Sequence, residues 1–317
     1  MNRSGVDVVI LSWNRRNLML ETIANVQAQS GVDKTIWIVD QGSDDETLDA
    51  LRPLHERGDI HLIELGQNVG VAEGRNQGNH RGTAGIIVSL DNDAVFDRED
   101  ALLDVAAAFD ADPQLGALGF RIKNYYTGDD DWLNWGYARQ LWDQRAHPFT
   151  ATRFVGCGHA IRRSAWAQTL DYDSDLFFFW EELDLSYQLI ALGYHIRYEP
   201  AIVVRHKVSP EVRTNWRDTR YYYLVRNALY LHYKYFRSMR QVIVMAAGYL
   251  LKGAFNGLWG QPVRAIWDAR RMIGQLDPAR AVILDHAAQA YLWEHDGRYR
   301  GSFWNRLWQN VFVRLPD

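Results

Sequence analysis

Cysteine is nearly absent: Cys157 is the single one in 317 residues. No internal disulfide can form, and a reducing compartment fits. Internal repeats and low-complexity tracts are also lacking, which argues against a repeat array or a disordered tether. Met1 to Asp7 is polar and runs straight into a strand, with no apolar signal-peptide core ahead of it. Neither common phosphate-cradling signature occurs. There is no Gly-x-x-x-x-Gly-Lys-Ser/Thr, and no Gly-x-Gly-x-x-Gly directly after the first strand. The most apolar stretch, Val242 to Trp259, carries Lys252, Asn256 and several glycines, so a spanning helix there would be short and charged.

Aromatics are abundant, with 13 Trp. The net charge of −4 hides an asymmetry. Residues 205–317 hold 18 Lys and Arg against 8 Asp and Glu, and residues 1–204 hold 17 against 31. The balances, +10 and −14, point to an acidic catalytic part and a basic, aromatic appendage that meets something anionic.

The pattern begins β-α-β-α-β. Val6 to Leu11 reads as a strand, and Met19, Ile23 and Val26 mark a helix face. Thr35 to Val39 is a second strand, Glu46 to Glu56 a helix, and Ile60 to Leu65 a third strand. That order predicts a parallel sheet with helices on both faces. Gly66 to Gly78 is a glycine-rich loop, with Arg75 and Asn76 opening the next helix. Ile86 to Leu90 then reads as a buried central strand ending in Asp91-Asn92-Asp93. Ligands in open α/β sheets bind at the carboxyl ends of strands. Two carboxylates there can hold a divalent cation, and the cation a diphosphate; an ordinary polar turn uses the same residues.

Val8 to Arg15, Ile38 to Asp45, Asn68-Val69-Gly70 with Arg75 to Gly78, and Asp91-Asn92-Asp93 follow one another as in family-2 glycosyltransferases. The chain resembles that family, in particular its rhamnosyltransferase-like members, through about His206. The resemblance implies a GT-A fold: an α/β, Rossmann-like, mostly parallel sheet as catalytic domain over 1–215, with an α-helical C-terminal extension over 216–317. It implies inverting transfer of a sugar from a nucleotide diphosphate sugar, UDP- or dTDP-linked, to an acceptor hydroxyl in polysaccharide or glycoconjugate synthesis. Ser12, Trp13, Asn14, Asp40, Gly42, Asn68, Arg75, Asn76, Asp91 and Asn92 would contact the donor. Asp91, Asp93 and His206 would hold Mn²⁺ or Mg²⁺, the imidazole tilting the choice toward Mn²⁺.

Phe177-Phe178-Phe179-Trp180-Glu181-Glu182 resembles the family's Glu-Asp motif. Glu182 takes the position of the general base and Glu181 helps hold the acceptor. The family usually has Asp where this chain has Glu182, which leaves Glu181 and Asp184 open as bases. Leu185, Leu189 and Leu192 predict a helical stripe closed by Gly193, and the last strand, Ile196 to Val204, is predicted to break at Pro200. His159, in the stretch that would line the sugar pocket, departs from the family pattern and reads as a satisfied structural histidine. Cys157 reads as a small buried hydrophobe. The aromatics between Asn124 and Phe149 either line an acceptor groove or form a buried cluster.

In the tail, Leu224, Ala228, Leu231 and Tyr235 predict a helical stripe. The tail suits three roles: a peripheral surface for an anionic membrane, a subdomain packed on the catalytic part, or a subunit contact in a homo-oligomer. Expected partners are the nucleotide-sugar donor and a glycan, lipid-linked or other hydroxyl acceptor. No nucleic acid is expected, since no recognised motif supports it. The expected location is cytoplasmic, with any membrane association on the cytoplasmic face. Two rival functions use similar parts. A sugar-1-phosphate nucleotidyltransferase needs a Gly-rich, Arg-bearing loop after the first strand, which Leu11-Ser12-Trp13-Asn14 does not supply. A non-catalytic nucleotide-sugar binder would have little use for the acidic pair.

Overall fold

The computed structural model describes residues 5–207, 219–278 and 282–301. Its elements in chain order are β1 (Val6–Ser12), α1 (Arg16–Ala28), β2 (Lys34–Asp40), α2 (Thr47–Glu56), β3 (His61–Glu64), α3 (Val71–Asn79), β4 (Ile86–Leu90) and β5 (Ala94–Phe96). There follow α4 (Ala101–Ala111), β6 (Leu115–Asn124), β7 (Phe149–Ala151), β8 (Gly158–Arg162), the short α5 (Arg163–Trp166), α6 (Glu181–Ala191) and β9 (His195–His206). The strands form one sheet in the order β3-β2-β1-β4-β8-β6-β9-β5, with β7 beside β9. The four strands from β3 to β4 run parallel, as the β-α-β pattern requires. β8 then enters antiparallel between β4 and β6, so the sheet is mixed.

Burial follows the pattern of the sequence. All five residues of β4 are buried, which is why it reads as an unbroken apolar run. Met19, Ile23 and Val26 of α1 pack into the same core as Val8, Ile10 and Val88. Each fully buried Val, Leu or Ile contributes about 1.5–3 kcal/mol. One charge is buried deliberately in β1. Asp7 pairs with Arg163 Nη2 at 2.7 Å and accepts from Trp37 Nε1 and the Ala84 amide. A Cβ at Gly82 would sit 2.1 Å from Asp7 Oδ2, so the turn before β4 needs glycine there.

Four local expectations change. The helix after the glycine-rich loop opens at Val71, so Arg75 and Asn76 lie inside α3. Leu192 is exposed, and the buried face of α6 is carried by Leu185, Leu189 and Ile190. β9 is not broken at Pro200. It continues through as a 12-residue strand, and its pairing with β6 jumps from Phe120↔Glu199 to Arg121↔Val203. Proline cannot donate to the ladder, and the bulge absorbs that loss. In the tail, Leu231 and Tyr235 of the expected stripe are buried, while Leu224 and Ala228 are half-buried and Tyr221, Val225 and Leu229 carry the core there.

Contacts divide the chain into two units: residues 1–137, 141–177 and 181–208, and residues 138–140, 178–180 and 209–317. The boundary expected at 215 lies outside the described residues. In the second unit, α7 (Tyr221–Phe236), α8 (Met239–Phe255) and α9 (Gly260–Gly274) pack around Tyr221, Val225, Leu258 and Ala265, followed by α10 (His286–His295). Asn227 of α7 is fully buried, and its Nδ2 donates to the carbonyls of Phe178 and Phe179. Among the described residues no helix is long and apolar enough to cross a membrane.

Candidate active site

β4 delivers Asp91 and Asp93 to the carboxyl end of the parallel strands. β5 leaves that turn and pairs with β9, placing Ala94 opposite His206. The pairing brings a histidine from far along the chain beside the two aspartates. One ligand atom from each of Asp91, Asp93 and His206 lies within 4.8 Å of the others. His206 Nε2 is 3.2 Å from Asp93 Oδ1 and 4.0 Å from Asp91 Oδ2. Arg15, held in a left-handed conformation at the head of α1, donates to Asp93 Oδ2 at 2.9 Å. Burial opposes charge on His206, but Asp131, Asp93 and Asp91 overcome it and raise its pKa to about 10. Burial likewise opposes charge on Asp93, whose carboxyl is nonetheless held below its ordinary range by His206 and Arg15. Two hard oxygen donors and one imidazole fit Mn²⁺ or Mg²⁺.

Asp131 is a site residue that the sequence reading missed. Its Oδ2 lies 4.0 Å from His206 Nδ1, and it accepts Asn134 Nδ2 at 2.6 Å. The run Gly128-Asp129-Asp130-Asp131 was its one visible signal, submerged in an irregular aromatic segment. Arg15 closes the Val8 to Arg15 motif, and nothing local in that stretch signals its contact with Asp93.

A second group adjoins the first through Arg75. This guanidinium is 3 % exposed. Nη1 donates to Glu182 Oε1 at 3.0 Å and lies 3.6 Å from Glu181 Oε1. Nη2 donates to the Gly156 carbonyl at 2.9 Å and lies 3.7 Å from Asp91 Oδ1. Glu181 is the more enclosed of the acidic pair, its side chain 4 % exposed against 18 % for Glu182. Burial, reinforced by the charge of Glu182, pushes the Glu181 carboxyl well above the usual range despite Arg75. Its Oε2 has no hydrogen-bond partner among the described residues. Asp184 is fully buried and accepts from Gln188.

The expected donor-binding residues divide by environment. Ser12, Trp13, Asn14, Asp40 and Gly42 share a turn at the ends of β1 and β2, where Ser12 and Asp40 are in register. Asp40 is fully buried, and its carboxylate accepts the amides of Gly42 and Ser43 and the Ser43 hydroxyl. It therefore builds the turn. Asn14, at φ 58°, ties the same turn through Ser43 and Asp44. Trp13 stands 54 % exposed above it. Gly42 has φ +77°, and a Cβ there would meet the Gln67 amide at 2.7 Å. Asn68 accepts the Gly70 amide, and the Asn92 carbonyl accepts the Thr22 hydroxyl. Asn76 is inside: its amide exchanges two hydrogen bonds with the backbone of Tyr172.

His159 is fully buried, as a structural histidine should be. Nδ1 faces the Val155 carbonyl at 3.0 Å and so carries the hydrogen, and Nε2 accepts from the Tyr172 hydroxyl at 3.1 Å. Burial holds it neutral, with a pKa well below 6.5. Cys157 is buried, which pushes its thiol up and away from nucleophilic use. Of the two readings for the aromatic segment, the cluster stands for its centre. Trp135 meets Tyr137, Trp142, Phe149 and Tyr198 edge-on at 4.9–6.1 Å. Tyr125, Tyr126 and Trp132 remain exposed.

The sequence model of Glycosyl transferase family 2 matches residues 7–170. Poly-beta-1,6-N-acetyl-D-glucosamine synthase of Staphylococcus aureus is 27 % identical over 203 residues, 62 % of this chain and 48 % of the relative. The chain thus spans about half the length of the curated relatives of this kind that it matches. Among solved structures, a mannosyltransferase from Pyrobaculum calidifontis, PcManGT, in complex with GDP-Man and Mn²⁺, is similar with TM-score 0.59 at 21 % identity, over 98 % of this chain and 85 % of that one. S. aureus TarS in complex with UDP is similar with TM-score 0.52 at 14 % identity, over 85 % of this chain and 88 % of that one. These likenesses are of fold, and they agree with the GT-A sheet described above. With over half of its length matched from β1 to the loop beyond α5, the chain belongs to glycosyl transferase family 2.

Proposed function

We propose that the protein is a metal-dependent inverting glycosyltransferase that moves a sugar from a nucleotide diphosphate sugar to an acceptor hydroxyl, in polysaccharide or glycoconjugate assembly. One observation carries the reading. A three-ligand cluster, Asp91, Asp93 and His206, stands one arginine away from an acidic pair. The first can hold a divalent cation on a diphosphate, and the second can take a proton from an acceptor. A bound Mn²⁺ or Mg²⁺ would stabilise the charge of the departing diphosphate. Glu182, the more open carboxylate, takes the proton of the acceptor hydroxyl while the acceptor's oxygen bonds to the anomeric carbon. The bond from that carbon to the diphosphate breaks, and configuration inverts. Trp13 and the turn from Ser12 to Gly42 face the nucleoside, which we take to be uridine or thymidine. Complexes of similar structures with GDP-Man and with UDP support a nucleotide-sugar donor without fixing its base.

The test is thermal-shift screening with UDP-, dTDP- and GDP-sugars, with and without Mn²⁺, followed by an assay for nucleoside diphosphate release. Metal-dependent stabilisation and release with a hydroxyl acceptor support the reading. Full turnover in excess EDTA overturns its metal part. Nucleotide transfer to a sugar phosphate would favour the nucleotidyltransferase instead.

We further propose that residues 1–215 form the catalytic part and that the helical region from 216 attaches it to an anionic membrane surface from the cytoplasmic side. Ile243, Leu251 and Phe255 of α8 and Trp259, Val263 and Trp267 near or on α9 are each at least half exposed. Residues 219–278 carry nine Lys and Arg against two Asp. Apolar exposure beside positive charge suits a helix pair lying in a lipid headgroup layer. The acceptor would then be lipid-linked.

A further inference from the structure

We propose that Arg75 is a positioning residue: it acts through Glu182, fixing the base relative to the metal-binding carboxylate Asp91, and it does not touch the donor. The inference rests on the glycosyltransferase reading and reassigns a residue that the family resemblance gives to donor binding.

The position of Arg75 is built in from several sides. α3 is capped by Gly70, where φ is +88° and a Cβ would meet the Phe177 carbonyl at 2.5 Å. That close approach lets the Val71 amide donate to the same carbonyl. Further along α3, Glu73 accepts the Ser174 hydroxyl and Asn76 pairs with the Tyr172 backbone. The helix is therefore fastened to segment 172–177, just ahead of the acidic pair in sequence. Arg75 has little freedom to swing outward.

Its donors point at protein acceptors. Glu182 Oε1 takes Nη1, the Gly156 carbonyl takes Nη2, and Asp91 Oδ1 lies 3.7 Å beyond. A diphosphate clamp needs guanidinium N–H groups open to the ligand. This side chain is 3 % exposed, and each of its terminal nitrogens already donates to a protein acceptor. What its planar fork can do is set a distance. One prong holds the base and the other prong faces the metal carboxylate, so the acceptor proton sink and the leaving-group site keep a fixed separation. It also allots charge within the pair, since Glu182 has the closer contact with the guanidinium and Glu181 the more enclosed position.

A double-mutant cycle on the intact chain tests this. Turnover, donor KM and thermal melts are measured for wild type, Arg75→Gln, Glu182→Gln and the double variant. Each single change is expected to lower kcat by about 10²–10⁴-fold with donor KM within about threefold of wild type. The double variant is expected to fall no more than about threefold below Glu182→Gln, because the arginine acts by placing that base. A multiplicative loss in the double variant, or a donor KM raised tenfold or more by Arg75→Gln, overturns the inference and restores a donor contact. If Arg75→Gln does not fold, Arg75→Lys takes its place in the cycle: it keeps the charge but loses the fork, and the same limits apply. A fully active Glu182→Gln would instead sink the assignment of the base, a separate failure of the underlying reading.

Discussion

The Nδ1 nitrogen of His206 faces Asp131 Oδ2 at 4.0 Å, at the ring nitrogen remote from Asp93. Between them stands Asn134, whose Nδ2 donates to Asp131 Oδ2 at 2.6 Å and lies 3.3 Å from Nδ1, so the carboxylate and the amide together orient the ring with Nε2 toward Asp91 and Asp93. Asp131→Asn is therefore expected to weaken Mn²⁺ binding by about 10–100-fold. Free Mn²⁺ counted by electron paramagnetic resonance checks this without any turnover. Unchanged affinity would mean that the ring is oriented by its strand alone.

Gly156 has a narrower task. A Cβ there would lie 2.1 Å from Glu182 Oε1 and 3.2 Å from Arg75 Nη2. Gly156→Ala must displace the glutamate or the arginine. Overpacking of this kind costs about 1–3 kcal/mol. We expect a modest fall in Tm together with a loss of kcat of about 10²-fold or more, while Mn²⁺ still binds. Steady-state kinetics beside a melt will separate the two effects.

The buried neutral His159 makes stability depend on pH. Its folded pKa lies well below 6.5, so the folded protein stays unprotonated there while the unfolded chain takes up a proton. The contribution is fully present above about pH 6.5 and is lost as pH falls toward the folded pKa, with a slope of up to about 1.4 kcal/mol per pH unit. Denaturation between pH 7 and 5 should show a shallower slope in His159→Gln than in wild type. Equal slopes would assign the acid sensitivity to other groups.

The exposed face of α8 and α9 should bind anionic vesicles at low salt and release as salt rises, since charges are screened beyond about 10 Å at 0.1 M. Trp259→Ala with Trp267→Ala should reduce cosedimentation without touching turnover on a soluble acceptor. Absence of cosedimentation at any salt removes the membrane proposal. If light scattering shows a dimer that the same substitutions dissolve, the face belongs to a second copy.

Much of this was legible in the sequence. The five-residue apolar run ending in Asp91-Asn92-Asp93 identifies the central strand and the two carboxylates at its end, because a strand covered on both faces leaves no polar alternation. His206 was readable only through family resemblance, since its role depends on strand pairing across the sheet. Asp131 was hidden because its segment has no periodicity to place it. Arg75 was recognised, but its surroundings depend on α6 and on Gly156, which lie 81 or more residues away. The antiparallel entry of β8 was likewise invisible, because strand direction is a tertiary choice that composition does not encode.

The pairing of β5 with β9 sets a timetable for the chain. β5 begins directly after Asp93, yet its partner among the described residues is the strand that ends at His206. During synthesis the Asp91-Asn92-Asp93 turn is made early, and the strand that steadies it arrives more than a hundred residues later. Contacts so distant in sequence close late in folding. A nascent chain thus holds its Asp-x-Asp turn before His206 can stand beside it. Mn²⁺ that binds only the finished sheet would also stabilise that step, by about 2.7 kcal/mol at a hundred times its Kd. Metal affinity would then report completed folding as much as chemistry.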